Sequence, residues 1–291
     1  MKRTTLLLAS LTVVFAMTSC DKVKEPYKIE PPVIVVDTNL VQLTADDTLN
    51  FDGKIVVLLE DYTGVRCNNC PAAAEIATQL QEQNEGHLVV MGVHPKGALQ
   101  NPAGGYPDFR TEEGNEWNNY FNIDSYPSGT VNRKEAIGSP EWTAAVNEAL
   151  NGNAPVRLIV KTDYIDSIRE VKLSVYSKFL TTVESNDVRL TLCMMEDNII
   201  GAQAFPMEEY PPMGVNPEYT HRHVFRGTVD GFTWGRPLDA DAETIEEGRY
   251  FATNMRFNID EKYNADQFYI VAFISDNTTK KVLMAAEAKI K

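Results

Sequence analysis

The sequence predicts an α/β domain followed by an all-β domain. Two observations carry the prediction. Between residues 54 and 152, aliphatic runs alternate with segments rich in helix formers, the order that builds a helix-flanked mixed sheet. From residue 155 onward the helical segments stop, and strand-like runs with period-2 alternation follow one another between turn signals. With 291 residues, 43% hydrophobic and 23% charged, the chain is long enough for two domains that each bury a core.

The first element is a leader. Lys2 and Arg3 precede the apolar run LLLASLTVVFAMTS, which leads into Cys20; a positive start, a short apolar stretch and small residues mark a secretory signal. The run falls short of the ~20 residues that span a bilayer. Its end, AMTSC, resembles a bacterial lipobox, which implies that residues 1–19 are removed and that Cys20 carries lipid. Acyl chains there hold a protein at a membrane without a spanning helix. Residues 20–45 are then the lipidated cysteine and a polar, proline-bearing tether (DKVKEPYKIEPP), with VIVV at 33–36 a candidate strand. Everything after Cys20 lies in an oxidising, extracytoplasmic space where disulfides persist. Cys67, Cys70 and Cys193 remain, one pair and one singleton.

Residues 46–154 are the α/β domain. KIVVLLEDYTG is a continuous β-branched and aliphatic run, read as a buried central strand. CPAAAEIATQLQEQN is a helix with Pro71 in its first turn and Gly86 closing it. HLVVMGVHP is a second buried strand, EEGNEWNNYFN a short helix and SYPSGTVNR a turn into a strand. SPEWTAAVNEALNG is a helix from Ser139, with Pro140 at its first position, and NGNAP ends the domain.

Residues 155–291 read as strands: VRLIVKTDY, REVKLSVYSKF, VRLTLCMMED, RYFATNMRFNI, QFYIVAFISD and KVLMAAEAKI. Val171, Leu173 and Val175 point one way, Lys172 and Ser174 the other. Six such runs predict a β-sandwich of immunoglobulin-like type. PMEEYPPMGVNPEYTHRH, 206–223, reads as a long loop. Tyr210, Tyr219, Phe232 and Trp234 around it are a candidate surface for a glycan or a peptide. His221 and His223 alternate on an expected strand and share a face, which reads as a polar strand edge ahead of a metal pair. Cys193, within LTLCMMED, reads as a core thiol.

Charge excludes some functions. Asp and Glu number 41 against 27 Lys and Arg, and loss of the two positive charges in residues 1–19 takes the net charge from −14 to −16. A body this acidic repels phosphate backbones and anionic membrane surfaces, so no nucleic acid partner is expected, and the membrane is met through the anchor only.

Cys67 and Cys70 stand at the end of a strand and the start of a helix. A redox pair, an inert disulfide and a metal clamp are the three readings. Unpaired N–H groups at a helix start favour a thiolate at Cys67, and Cys70, one turn on, is placed to resolve a mixed disulfide. As a staple the pair is poor, because so small a loop removes little unfolded-state entropy. Zinc needs a second ligand pair, which His87 and His94 do not evidently supply. The redox reading leads, with neither cofactor nor metal.

Strand, C-x-x-C, helix and the later proline of YPSGTVNR are together similar to the thioredoxin-like fold. The resemblance implies that Pro127 is a cis-proline beside the disulfide and that the Tyr126 backbone pairs with a substrate chain. It also implies that Asp61, six residues before Cys67, is a buried proton acceptor, with Glu60 the out-of-register alternative. Departures from that pattern are Val65-Arg66 in place of the usual Trp, Asn68-Asn69 between the cysteines, and 57 positions from Cys70 to Pro127. Over nearly the whole mature chain, the lipobox, LLEDYTGVRCNNCP, YPSGTVNR and the β-rich second half resemble the 28-kilodalton outer-membrane protein family of Bacteroidetes lipoproteins. That implies a cell-envelope lipoprotein facing the periplasm or the cell surface. Two functions are expected. In one, the chain is a thiol-disulfide oxidoreductase on protein thiols or disulfides: Cys67 attacks, Cys70 resolves, Asp61 moves the proton, and Tyr126 and Pro127 hold the substrate. In the other it is a non-enzymatic lipoprotein that binds a surface protein or glycan, with Cys67–Cys70 inert.

Overall fold

β-Branched and aliphatic runs in the middle of the chain become fully buried strands, and the computed structural model describes them within residues 53–291. The leader, Cys20, the tether and the candidate strand at 33–36 lie outside the described residues. In chain order the elements are β1 (Val57–Tyr62), α1 (Cys70–Gln83), β2 (Leu88–Val93), α2 (Glu112–Tyr120), β3 (Ser128–Val131), β4 (Ile137–Gly138) and α3 (Trp142–Leu150). They continue as β5 (Val156–Ile165), β6 (Glu170–Phe179), β7 (Val188–Glu196), β8 (Ile199–Ala204), β9 (Val215–His221) and β10 (Val224–Thr228). The last are β11 (Arg236–Pro237), β12 (Tyr250–Asn258), β13 (Phe268–Asp276) and β14 (Val282–Lys289).

The fold is β-rich. Among the described residues one sheet has nine strands in the order β14-β13-β7-β10-β2-β1-β3-β4, with β11 on β7. β1 runs parallel to β2 and antiparallel to β3, and β3 is antiparallel to β4. A three-stranded sheet, β12-β6-β5, is the second layer, and β8-β9 is a separate hairpin. The expected boundary at 154/155 falls between α3 and β5, and strands from both sides of it share the nine-stranded sheet within one compact unit. The join is the bridge Val224↔Gly92, where the Gly92 N–H also donates to His223 O at 2.6 Å. A Cβ on Gly92 would stand 3.1 Å from that oxygen, so this approach of two backbones calls for glycine.

Successive residues of a strand face opposite sides of its sheet, and this sheet buries both. Val57 and Leu59 of β1 join α1, α3, β6 and β13 residues in one core that includes Ala73, Val146, Val171, Leu173 and Ile270. Leu58 and Tyr62 face the other core, with Trp117 of α2, Phe225 and Phe273. The first core crosses residue 154 without a break, because the faces of α1 and of β6 cover neighbouring parts of one sheet.

Three expectations change. The stretch 206–223 is not one loop: its second half is β9, paired antiparallel with β8. Asn216 and Pro217 hide the strand from sequence patterning, and pairing with β8 sustains it. Ser174 is fully buried rather than outward-facing, because β6 is the central strand of its sheet and Ser174 lies between Lys161 and Asn254. The four aromatics divide. Tyr210 and Tyr219 pack on Phe205 of the hairpin, whereas Trp234 packs on Tyr120, and Phe232 lies under Arg236.

Candidate functional site

β1 ends in the turn that carries the cysteines, and α1 starts at Cys70 with Pro71 in its first turn and no side-chain cap at Asn69. Cys67 and Cys70 form a disulfide. Both are buried, at 3% and 2% exposure. The turn before Cys67 is clamped from two directions. From residues 99–103, Leu99 O accepts from Arg66 N–H at 2.8 Å, and the Gln100 amide donates to Thr63 O at 3.0 Å. From the β8-β9 hairpin, Ala204 N–H donates to Val65 O at 2.8 Å. The Gln203 amide donates to Cys67 O at 3.0 Å and to Gly64 O at 3.2 Å. Arg66 turns away into the 101–106 segment, donating to Asn101 O and Ala103 O with its guanidinium over Tyr106.

The β1 period separates the two acids. Asp61 faces α1, and Glu60 faces α2. Glu60 is held by Arg133, with Nη2 donating at 2.8 Å and Nε at 3.0 Å to Oε1, and by Thr130 Oγ1, which donates to Oε2 at 2.7 Å. The pair is fully buried, and the guanidinium lies over the rings of Trp117 and Phe273. That is a structural anchor tying β1 to the turn after β3. Asp61 is the opposite case. It is 3% exposed, its Oδ1 has no hydrogen-bond partner among the described residues, and burial pushes its carboxyl up from 3.8 to about 8. A buried carboxyl that no cation or donor compensates keeps its proton because ionisation there lacks solvation.

A small cavity of about 40 Å³ joins Asp61 to the disulfide, lined by Asp61, Cys70, His94, Gln203, Tyr219 and His221 among others. A wider cleft of about 320 Å³ also reaches Asp61 and runs between α1 and β9, past Glu75, Thr78, Glu218 and Arg222. Tyr126 and Pro127 precede β3, whose Ser128 pairs with Tyr62 next to the cysteine turn. The Tyr126–Pro127 bond is cis, and the Tyr126 hydroxyl donates to Asn118 Oδ1 at 2.7 Å.

The two histidines of THRH part company. His221 closes β9 and meets Phe109 and Tyr219 edge-on, at the disulfide cavity. His223 lies past the strand end at φ 55, with Nδ1 at 3.3 Å from the Tyr269 hydroxyl and its backbone N–H donating to Asp197 Oδ1. Among the described residues no group of three or more His, Cys, Asp or Glu is arranged to hold a metal. Cys193 is buried and unpaired among them, on the β7 face toward Trp117. Sequence reasoning missed Gln203, Arg133 and the convergence of His94 with His221. The only signal was the histidine at the end of HLVVMGVH and the one in YTHRH, which nothing local connects.

Fold and site define a β-rich protein with a buried C-x-x-C disulfide where a parallel strand pair meets a helix. The chain belongs to the outer membrane protein Omp28 family, which matches residues 114–291, more than half of its length. It is an outer-membrane lipoprotein of the cell envelope, and no helix among the described residues is long and apolar enough to cross a membrane. The family match begins beyond both cysteines, so it does not speak to their chemistry. Among solved structures the chain is similar to HBP35 of Porphyromonas gingivalis, with TM-score 0.58 and 18% identity over 81% of this chain and 76% of that one. At that identity the likeness concerns the fold alone. A domain of the outer membrane lipoprotein Omp28 from Porphyromonas gingivalis gives TM-score 0.32 and 19% identity, over 47% of this chain and 89% of that one. No curated protein matches the chain.

Proposed function

We propose that this lipoprotein is a thiol-disulfide oxidoreductase acting on envelope proteins, built from a thioredoxin-like unit and an immunoglobulin-like sandwich that share one sheet. The strand order β2-β1-β3-β4, with a C-x-x-C turn leading from β1 into α1, supports the first unit. The facing layers β5-β6-β12 and β7-β13-β14 support the second. Cys67 attacks a substrate disulfide and Cys70 displaces the reduced substrate from the mixed disulfide. Asp61 takes the Cys70 proton, and the chain at Tyr126 and Pro127 is where a substrate strand would lie. One observation carries the reading. A buried carboxyl with an unpartnered oxygen costs stability; Asp61 has no ion pair among the described residues to explain it, but a proton acceptor behind Cys70 needs such a group. Replacing Cys70 with Ser should leave Cys67 joined to envelope proteins, visible as adducts on non-reducing gels and absent from the Cys67→Ser, Cys70→Ser protein. No adducts from cells making the full chain would defeat the proposal.

Burial of both sulfurs beneath the hairpin favours a second reading, a binding lipoprotein whose disulfide is inert. The hairpin loop then supplies the contact surface, with Met207 and Met213 at 63% and 75% exposure. On that reading the doubly substituted serine protein keeps its partner, and trimming 206–214 loses it.

A further inference from the structure

At the end of α1 away from the cysteines, a cleft of about 520 Å³ opens, a size usual for small-ligand sites. Its walls come from five places in the fold. Glu82 and Glu85 stand at the end of α1, Asp197 between β7 and β8, His223 after β9, Tyr269 on β13 and Glu287 on β14. No cysteine lines the cleft, so what it binds is independent of the exchange chemistry.

The polar part of this wall is nearly all acceptor. Four carboxylates stand against one cation, Lys289. Glu82, Glu85 and Glu287 have neither a hydrogen bond nor an ion pair among the described residues. Desolvation and the Asp197 charge raise the Glu287 carboxyl to about 7, the response of a desolvated carboxylate with a like charge beside it and no cation between. His223 adds a further acceptor. Burial lowers its pKa, so the ring is neutral at physiological pH. Nδ1 lies 3.3 Å from the Tyr269 hydroxyl and 3.6 Å from Asp197 Oδ1. The carboxylate favours the ring proton on Nδ1, which leaves Nε2 with its lone pair. That nitrogen is buried and has no hydrogen-bond partner among the described residues, a want that a donor in the cleft would meet. His223 also lines the cleft between α1 and β9, so the two clefts meet at its ring and leave room for an elongated ligand.

A metal ion does not fit, since among the described residues no group of three or more His, Cys, Asp or Glu is arranged to hold one. An ammonium group fits better. It brings three N–H donors and a full charge, and its alkyl stem can lie along Leu88, Ala288 and the Tyr269 ring. We propose that this cleft binds an alkylammonium cation of two or more charges, one ammonium donating to His223 Nε2 between Asp197 and Glu287 and another meeting Glu82 and Glu85. That chemistry has two sources in a cell envelope, a free polyamine or neighbouring lysines of a polypeptide.

Calorimetry on the full chain at about 0.15 M salt tests this with two probes, spermidine and trilysine. At least one should saturate a single site with Kd below about 1 mM. Tighter spermidine assigns the free amine, and tighter trilysine assigns the polypeptide. No saturation by either probe at about 10 mM overturns the proposal. Because the whole body is acidic, the place of binding is tested as well. Glu85→Gln with Glu287→Gln removes two charges from the cleft, and Glu135→Gln with Glu141→Gln removes two exposed charges elsewhere. The first pair should weaken binding at least about tenfold and the second less than about twofold. Equal weakening by both pairs means general attraction to an acidic surface and overturns the proposal. In the unaltered protein, carbon-13 NMR should show the Glu287 titration fall by about one pH unit at saturation, and the nitrogen-15 resonance of His223 Nε2 should shift. Saturation that moves neither puts the ligand elsewhere and overturns the site.

Discussion

Asp61→Asn keeps the side-chain size and removes the charge, and it isolates what burying this carboxyl costs. In the unfolded chain the group ionises near 3.8, and in the folded protein near 8. Between those values the folded state binds the extra proton, so stability linked to Asp61 is fully present below about pH 4. It is lost as pH rises, at up to about 1.4 kcal/mol per unit, and the loss is complete once the folded group ionises above about 8. The whole shift corresponds to a ceiling of about 6 kcal/mol, reduced to the extent that water in the adjoining cavity solvates the carboxylate. The assay is urea unfolding of parent and variant from pH 4 to pH 9, read as the difference between them, which cancels every group the two share. The Asn protein should gain on the parent steadily through that range and be more stable by at least about 2 kcal/mol at pH 9. A difference that stays flat with pH, or one that favours the parent at pH 9, refutes the account of Asp61 as an unpaired buried acid.

Two further substitutions probe the surroundings of the pair. Arg133→Met leaves Glu60 buried without its partner, which should cost about 3–5 kcal/mol by chemical denaturation, and adding Glu60→Gln should recover much of that; a loss under about 1 kcal/mol would mean Glu60 is solvated by something else. Gln203→Ala removes the amide that holds Cys67 O and Gly64 O. It should cost about 1 kcal/mol and speed reduction of the disulfide by dithiothreitol severalfold, whereas an unchanged rate would show that the hairpin does not limit access.

Much of the fold is legible in local pattern. The aliphatic run before the cysteines, Pro71 and Pro140 at helix starts, and the alternation of β6 each point to the element that forms, because each rests on propensity and period within about ten residues. The segment 199–228 is illegible for the opposite reason. Pro217 and Gly201 weaken the strand signal, β9 is held by β8, and β8 and β10 are held in turn by partners outside the segment: Val65 and Cys67 for β8, Gly92 and Met195 for β10. The same holds within the site. The thioredoxin-like resemblance singles out Asp61, but nothing local shows its environment, since His94 and His221 are 127 positions apart and come to one cavity where β10 pairs with β2. Glu60 and Asp61 look interchangeable in sequence. The pleat alone makes one an anchor and the other an unpaired acid.

The most direct test of the exchange reading is the reduction potential of Cys67–Cys70 in the purified lipid-free protein, equilibrated with glutathione or dithiothreitol buffers. The account predicts a value among the exchange catalysts, roughly −120 to −270 mV. A value below about −300 mV, where structural disulfides lie, would contradict it and leave the hairpin surface as the working part of the protein.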